Sequence, residues 1–113
     1  MQVVEILKKK VEMVDRVYEY EYRLIKGELT ICHKYDNTKI QSYGIEVERK
    51  DFVDNKIVNI ERDDIKNISV EKEKVHNLME ILYKNVVSPI HFIEVIGSYV
   101  DNYTADFDFD FVG

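Results

Sequence analysis

The chain is short of the residues that usually staple or punctuate a small protein. Among 113 residues there is one cysteine, Cys32, so an internal disulfide is excluded and a structural zinc site would lack its thiolates. One proline and four glycines, Gly27, Gly44, Gly97 and Gly113, are spread along the sequence. Glycines so scattered cannot build the loop that cradles a nucleotide phosphate, and no cofactor is signalled. No apolar run approaches the ~18 residues that a membrane-spanning helix needs. Basic charge is also scarce. Sixteen Lys and Arg face 22 Asp and Glu, a net charge of −6, and from Glu71 onward three Lys meet eight acids, 3 − 8 = −5. Phosphate backbones are bound through Lys and Arg that displace counterions, so an acidic second half argues against nucleic acid as a partner. Lys8-Lys9-Lys10 is too short to reverse this and reads as a solvated strand end.

What is present is enough for one domain with one modest core. Hydrophobic residues make up 45% and charged residues 34%, a globular composition. Met1 leads into Gln2-Val3-Val4-Glu5 without the basic region, apolar stretch and cleavage site of a secretory signal, so a cytoplasmic protein is expected.

The first half alternates. Val17-Tyr18-Glu19-Tyr20-Glu21-Tyr22-Arg23-Leu24 puts Tyr18, Tyr20, Tyr22 and Leu24 on one face and its polar residues on the other, the period of a half-buried strand. Gly27 and Asp36-Asn37-Thr38 read as breaks, which predicts strands near Glu28 to Tyr35 and Lys39 to Glu48. Asp54-Asn55 precedes a further β-branched strand, Lys56 to Glu61. The amino-terminal segment fits a helix by Val4, Leu7, Val11 and Val14, but its β-branched content favours a strand, turning at Asp15-Arg16. Gly44 inside a strand marks a bulge or a close neighbour.

The second half has helical spacing. Val75, Leu78, Met79, Leu82 and Val86 line one face, with Ser69 as the expected cap. Ser88-Pro89 opens a second helix carrying Phe92, Val95, Ile96, Tyr99, Val100 and Tyr103. The expected fold is α+β: an antiparallel β meander of about five strands covered on one face by a C-terminal antiparallel helix pair. It spans residues 1–105, with 106–113 as an acidic-aromatic tail.

Chemistry is sparse. Cys32 and His33 are neighbours, and adjacent strand residues face opposite ways, so they cannot form a thiolate and imidazole dyad; Cys32 is expected to be a buried small hydrophobe. Glu73-x-x-His76 and His91-x-x-Glu94 each place a carboxylate and an imidazole on one helix face, but the two pairs fall at opposite ends of an antiparallel hairpin. A shared metal is therefore not expected, and neither is an enzyme. The tail Asp106-Phe107-Asp108-Phe109-Asp110-Phe111 alternates acid and aromatic, which fits an edge strand of the protein's own sheet. A disordered end, and a peptide that adds to another protein's sheet, are the other two readings.

Two segments, Tyr43-Gly44-Ile45-Glu46-Val47 and Asn85-Val86-Val87-Ser88-Pro89-Ile90-His91, resemble a small uncharacterised family, a domain of unknown function of clostridial spore-forming bacteria. The resemblance spans about Tyr18 to Val100 and leaves out the amino-terminal strand and the tail. It implies a compact cytoplasmic bacterial domain with no assigned activity. The function expected from the residues is a non-enzymatic protein-interaction or regulatory module, with a protein partner or a homodimer, that uses Asp106 to Phe111. The alternative is a small-ligand sensor with an aromatic pocket formed by Tyr18, Tyr20, Tyr22, Tyr43 and His91.

Overall fold

The computed structural model describes the backbone of residues 2–32 and 34–112, with side chains up to residue 100. Four strands, β1 (Gln2–Glu12), β2 (Val17–Cys32), β3 (Asn37–Val53) and β4 (Lys56–Ser69), precede two helices, α1 (Lys72–Lys84) and α2 (Pro89–Val112). The strands form one antiparallel sheet in the order β1-β2-β3-β4, a meander, and the helices pack on it. The fold is α+β. α1 touches all four strands, whereas α2 lies chiefly along β4; the helices touch each other only sparingly, so each is held mainly by the sheet.

There are four strands rather than five because Gly27 is not a break. It pairs with Ser42 in the middle of β2, has no positive φ, and a Cβ added there would meet nothing within 4 Å. Glycine favours turns only where the backbone demands an unusual dihedral, and here the ladder to β3 continues across it. The true reversal lies further on, where the Asn37 amide donates to the Asp36 carboxylate at 2.8 Å. Asp54 and Asn55, at φ 51° and 64°, form the two-residue turn whose twist suits a hairpin.

Gly44 is both a bulge and a close approach. The β3–β4 register shifts between Tyr43 and Ile45, and a Cβ on Gly44 would sit 2.1 Å from the Ile65 carbonyl oxygen.

The core lies between one sheet face and the helices. Tyr22, Leu24, Ile45 and Val47 meet Val75, Leu78, Met79 and Leu82 of α1, and Phe92 and Ile96 of α2; Ile68 and Val87 complete the cluster. Spacings of three and four residues put those helical side chains on one stripe. The Tyr22 hydroxyl donates to the Val87 carbonyl at 2.8 Å, tying the sheet to the interhelix link. α1 ends with the Val87 and Val86 amides donating to the Leu82 and Tyr83 carbonyls at 3.0 and 3.3 Å. This closure puts Val86 at φ 51°, a strained place for a β-branched residue.

Three further expectations are corrected. Ser69 ends β4 instead of capping α1; Glu71 is the cap residue, and the Ser69 hydroxyl accepts the Glu71 amide at 3.1 Å. Cys32 is exposed, in the part of the β2–β3 hairpin that extends beyond β1 and β4. The tail is not an edge strand, since α2 continues as helix to Val112. Once a helix is under way each added residue gains a backbone hydrogen bond, and no Gly or Pro interrupts residues 98–112. The side chains of Asp106, Phe107, Asp108, Phe109, Asp110 and Phe111, and Gly113 altogether, lie outside the described residues.

Candidate functional site

The molecule measures 59 × 22 × 19 Å. β3, with 17 residues, would span roughly 56 Å at about 3.3 Å per residue, so one strand runs nearly the full length. β2 and β3 pair without a register shift from Val17↔Phe52 to Cys32↔Asn37. Their neighbours are shorter. β1 reaches only as far as the pair Gln2↔Lys26, and β4 only as far as Tyr43↔Ser69. Beyond those points, from Gly27↔Ser42 to Cys32↔Asn37, β2 and β3 continue as a two-stranded arm of about 20 Å. At its root the buried Ser42 hydroxyl donates to the Ser69 carbonyl at 3.4 Å.

Each strand of the arm has an outer edge, and no strand among the described residues pairs with it there. Such an edge is a template for another chain. The pleat sorts the side chains. Tyr22 and Leu24 face the helices, so alternation sends Leu29 and Ile31 to the opposite face, and the register places Thr38 and Ile40 beside them. Leu29, Ile31 and Ile40 are half-buried although they lie on the face away from the helices, while Glu28, Thr30, Cys32, Lys39 and Gln41 are exposed. A lone two-stranded ribbon is marginal in water, so this arm has something to gain from a third strand.

Below the arm, the sheet face away from the helices is charged and self-satisfied. Glu48, 2% exposed, accepts from Arg23 at 2.9 Å and from the Arg62 Nε at 2.7 Å. Arg23 also bridges Glu21 and Glu46. Burial alone would raise the Glu48 carboxyl pKa, but the hydrogen bonds from Arg62 and Arg23 hold it below its usual value. With these largely buried charges already paired to one another, the network reads as structural.

The histidines fall apart. His76 is held by Glu5 of β1, 2.6 Å from Nδ1, and by Glu80, 3.0 Å from Nε2, while Lys72 sits 3.5 Å from Glu5. Desolvation opposes its charge, yet the bonds to Glu5 and Glu80 push the imidazole pKa above its ordinary value. His91 pairs only loosely with Glu94, at 3.7 Å on the surface of α2. Glu73 is not a partner of His76 in these contacts, and among the described residues no group of three or more His, Cys, Asp or Glu side chains is placed to hold a metal ion.

Of the residues expected to line an aromatic pocket, three come together. Tyr18, Tyr20 and Tyr22 follow one another along β2 with ring centroids 6.5 and 6.3 Å apart, and Tyr83 meets Tyr22 edge-on. Tyr22 is fully buried, and burial pushes its hydroxyl pKa up. Tyr43 packs elsewhere on β3, opposite Lys26 and Ser69, and His91 faces solvent. Tyr20 lines a cleft of about 240 Å³ whose other walls are charged, including Lys8, Lys10, Glu21 and Lys50. The arm itself escaped sequence reasoning because Gly27 looked like its end; the missed signal was the alternation of Leu29, Ile31 and Ile40.

A family model described as a family of unknown function, DUF6514, matches residues 1–102. The chain belongs to that family. The DUF6514 match begins at the first residue, so it takes in β1, which the shorter resemblance leaves out. Residues 103–113 lie outside it. No curated protein and no solved structure matches the chain.

Proposed function

We propose that this DUF6514 chain is a non-enzymatic protein-interaction module of the bacterial cytoplasm, and that it docks an extended segment by strand addition to the β2–β3 arm. The observation that carries the proposal is the arm: six residue pairs that leave the sheet behind, with an edge on each side and an apolar ladder that no strand among the described residues pairs or covers. Strand addition draws affinity from main-chain hydrogen bonds and specificity from alternate side chains, and the arm offers both. Both nitrogens of His76 are engaged by carboxylates in a tie between β1 and α1, which suits structure better than proton transfer. The acidic charge disfavours nucleic acid, and among the described residues no helix is long and apolar enough to cross a membrane.

The test removes the arm alone. Replacing residues 28–41 with an Asn-Gly turn joins Gly27 to Ser42, which already face each other. The shortened chain should keep its far-UV circular dichroism and urea midpoint, and fail to co-purify the partners that cross-linking mass spectrometry maps to Lys34 and Lys39 of the full chain in cells. An unchanged set of co-purified partners would sink the proposal.

A further inference from the structure

We infer that the segment docked on the arm is the arm of a second copy, paired antiparallel through the β2 edge about a twofold axis at Thr30; the inference rests on reading the arm as a docking device. In an antiparallel pair, directly opposed residues share a face, so a twofold at Thr30 matches residue i with residue 60 − i of the other copy. Thr30 then opposes its own mate, and Leu29 opposes Ile31 of the second copy. Each cross-strand row reads Ile40, Leu29, Ile31, Thr38 across four strands, extending the apolar ladder already present within each arm. Within residues 28–32 Glu28 meets Cys32 and no like charges are opposed; Lys26 faces Lys34 of the second copy only outside that stretch. Apolar and Thr–Thr pairs of this kind are the units of sheet stabilisation.

The β3 edge is the poorer candidate. It carries Lys39 as a guard, and at its root Ser42 is tied to Ser69.

Charge distribution favours a second copy docked at this end of the molecule. Residues 26–42 hold Lys26, Lys34 and Lys39 against Glu28 and Asp36, 3 − 2 = +1, so the rest of the chain carries −6 − 1 = −7. Two such acidic bodies repel when close. In this register Lys26 lies opposite position 34 of the second copy, so the two arm roots stand eight residues apart, about 26 Å at about 3.3 Å per residue. That is some three Debye lengths at physiological salt, where the screening length is about 8 Å, so the repulsion is largely removed. Pairing through the arms unites two nearly neutral segments and keeps the acidic bodies apart.

The experiment uses the full chain. Sedimentation from micromolar to millimolar concentration should show a monomer–dimer equilibrium. Leu29→Lys with Ile31→Lys, and separately Leu29→Glu with Ile31→Glu, place like charges opposite each other; each double variant should weaken dimerisation at least about tenfold, and mixing the two should restore a heterodimer. Thr30→Cys with Cys32→Ser should cross-link under mild oxidation, because opposed residues bring their Cβ atoms within about 5.5 Å. The wild-type Cys32, four residues out of register with its mate, should not. A monomer at every concentration, dimerisation unaffected by the charged variants, or Cys32 cross-linking as readily as the Thr30→Cys variant would each overturn the inference. If the chain is monomeric yet the arm-deleted chain still loses its cross-linked partners, the docking reading stands and only the second copy falls. If the chain is monomeric and the partners are unchanged, both fall.

Discussion

Gly44→Ala should cost this protein a large part of its stability, and Gly27→Ala, on the same strand pair, should cost almost nothing. A Cβ on Gly44 would lie 2.1 Å from the Ile65 carbonyl oxygen, 2.4 Å from the Lys66 carbonyl oxygen and 2.5 Å from the Lys66 carbonyl carbon. Ordinary contact begins near 3.4 Å, so the shortfall is 3.4 − 2.1 = 1.3 Å. All three atoms are backbone, and none can swing aside as a side-chain end would. Relief requires β3 and β4 to part by about 1 Å at the bulge between Tyr43 and Ile45. Two or three ladder bonds would be lost there, at about 1 kcal/mol or more each. Ile65 and Ile68, which contribute to the core from β4, would also loosen. The sum is about 3–5 kcal/mol, against a total of roughly 5–15 kcal/mol for a domain of this class. A melting temperature lower by roughly 12 °C or more is expected. At Gly27 the added methyl meets open space and φ is not positive, so alanine should be neutral or add about 0.5 kcal/mol by restricting the unfolded chain. Urea unfolding followed by circular dichroism reads both variants. A Gly44→Ala loss below about 1 kcal/mol would refute the reasoning, because it would mean that the strands yield without breaking their ladder.

Tyr22→Phe should lower stability by about 1–2 kcal/mol, since it strands the buried Val87 carbonyl that the hydroxyl now satisfies at 2.8 Å; an unchanged urea midpoint would mean that the carbonyl finds another donor. His76 should make stability depend on pH. Its pKa in the folded state lies above the ordinary 6.5, so its contribution is fully present below pH 6.5 and is lost as pH rises through the folded value. The urea midpoint of the wild type should therefore fall relative to that of His76→Gln over this rise, and a difference that does not change with pH would refute the ion-pair assignment to Glu5 and Glu80.

Much of the fold was legible because it is written in short-range periodicity. The alternation of Tyr18, Tyr20, Tyr22 and Leu24 announced a strand with one buried face, and the 75, 78, 79, 82 spacing announced the buried stripe of α1. Pro89 opens α2 where its missing amide is harmless. The misreadings share one cause. Gly27, Ser69 and the Asp-Phe tail were interpreted from local chemistry, whereas their state depends on what lies beside them or what precedes them. Gly27 stays extended because Ser42 is there to pair with it, and residues 106–112 follow a helix already propagating. The candidate site was less legible still. Leu29, Ile31 and Ile40 alternate as any strand would, and only the lengths of β1 and β4 reveal that neither strand flanks them.

By itself, the sequence determined the class of the protein: an α+β chain with an antiparallel sheet, two amphipathic helices and no disulfide, since composition and periodicity are properties of neighbouring residues. Only the tertiary structure decided where the sheet ends relative to its longest strands, that His76 meets a carboxylate 71 positions away, and that an arm stands clear of the core. Those are matters of which distant segments run out first. A ladder of hydrogen bonds continues only where two strands are both present, so the projecting arm exists because β2 and β3 outlast their neighbours.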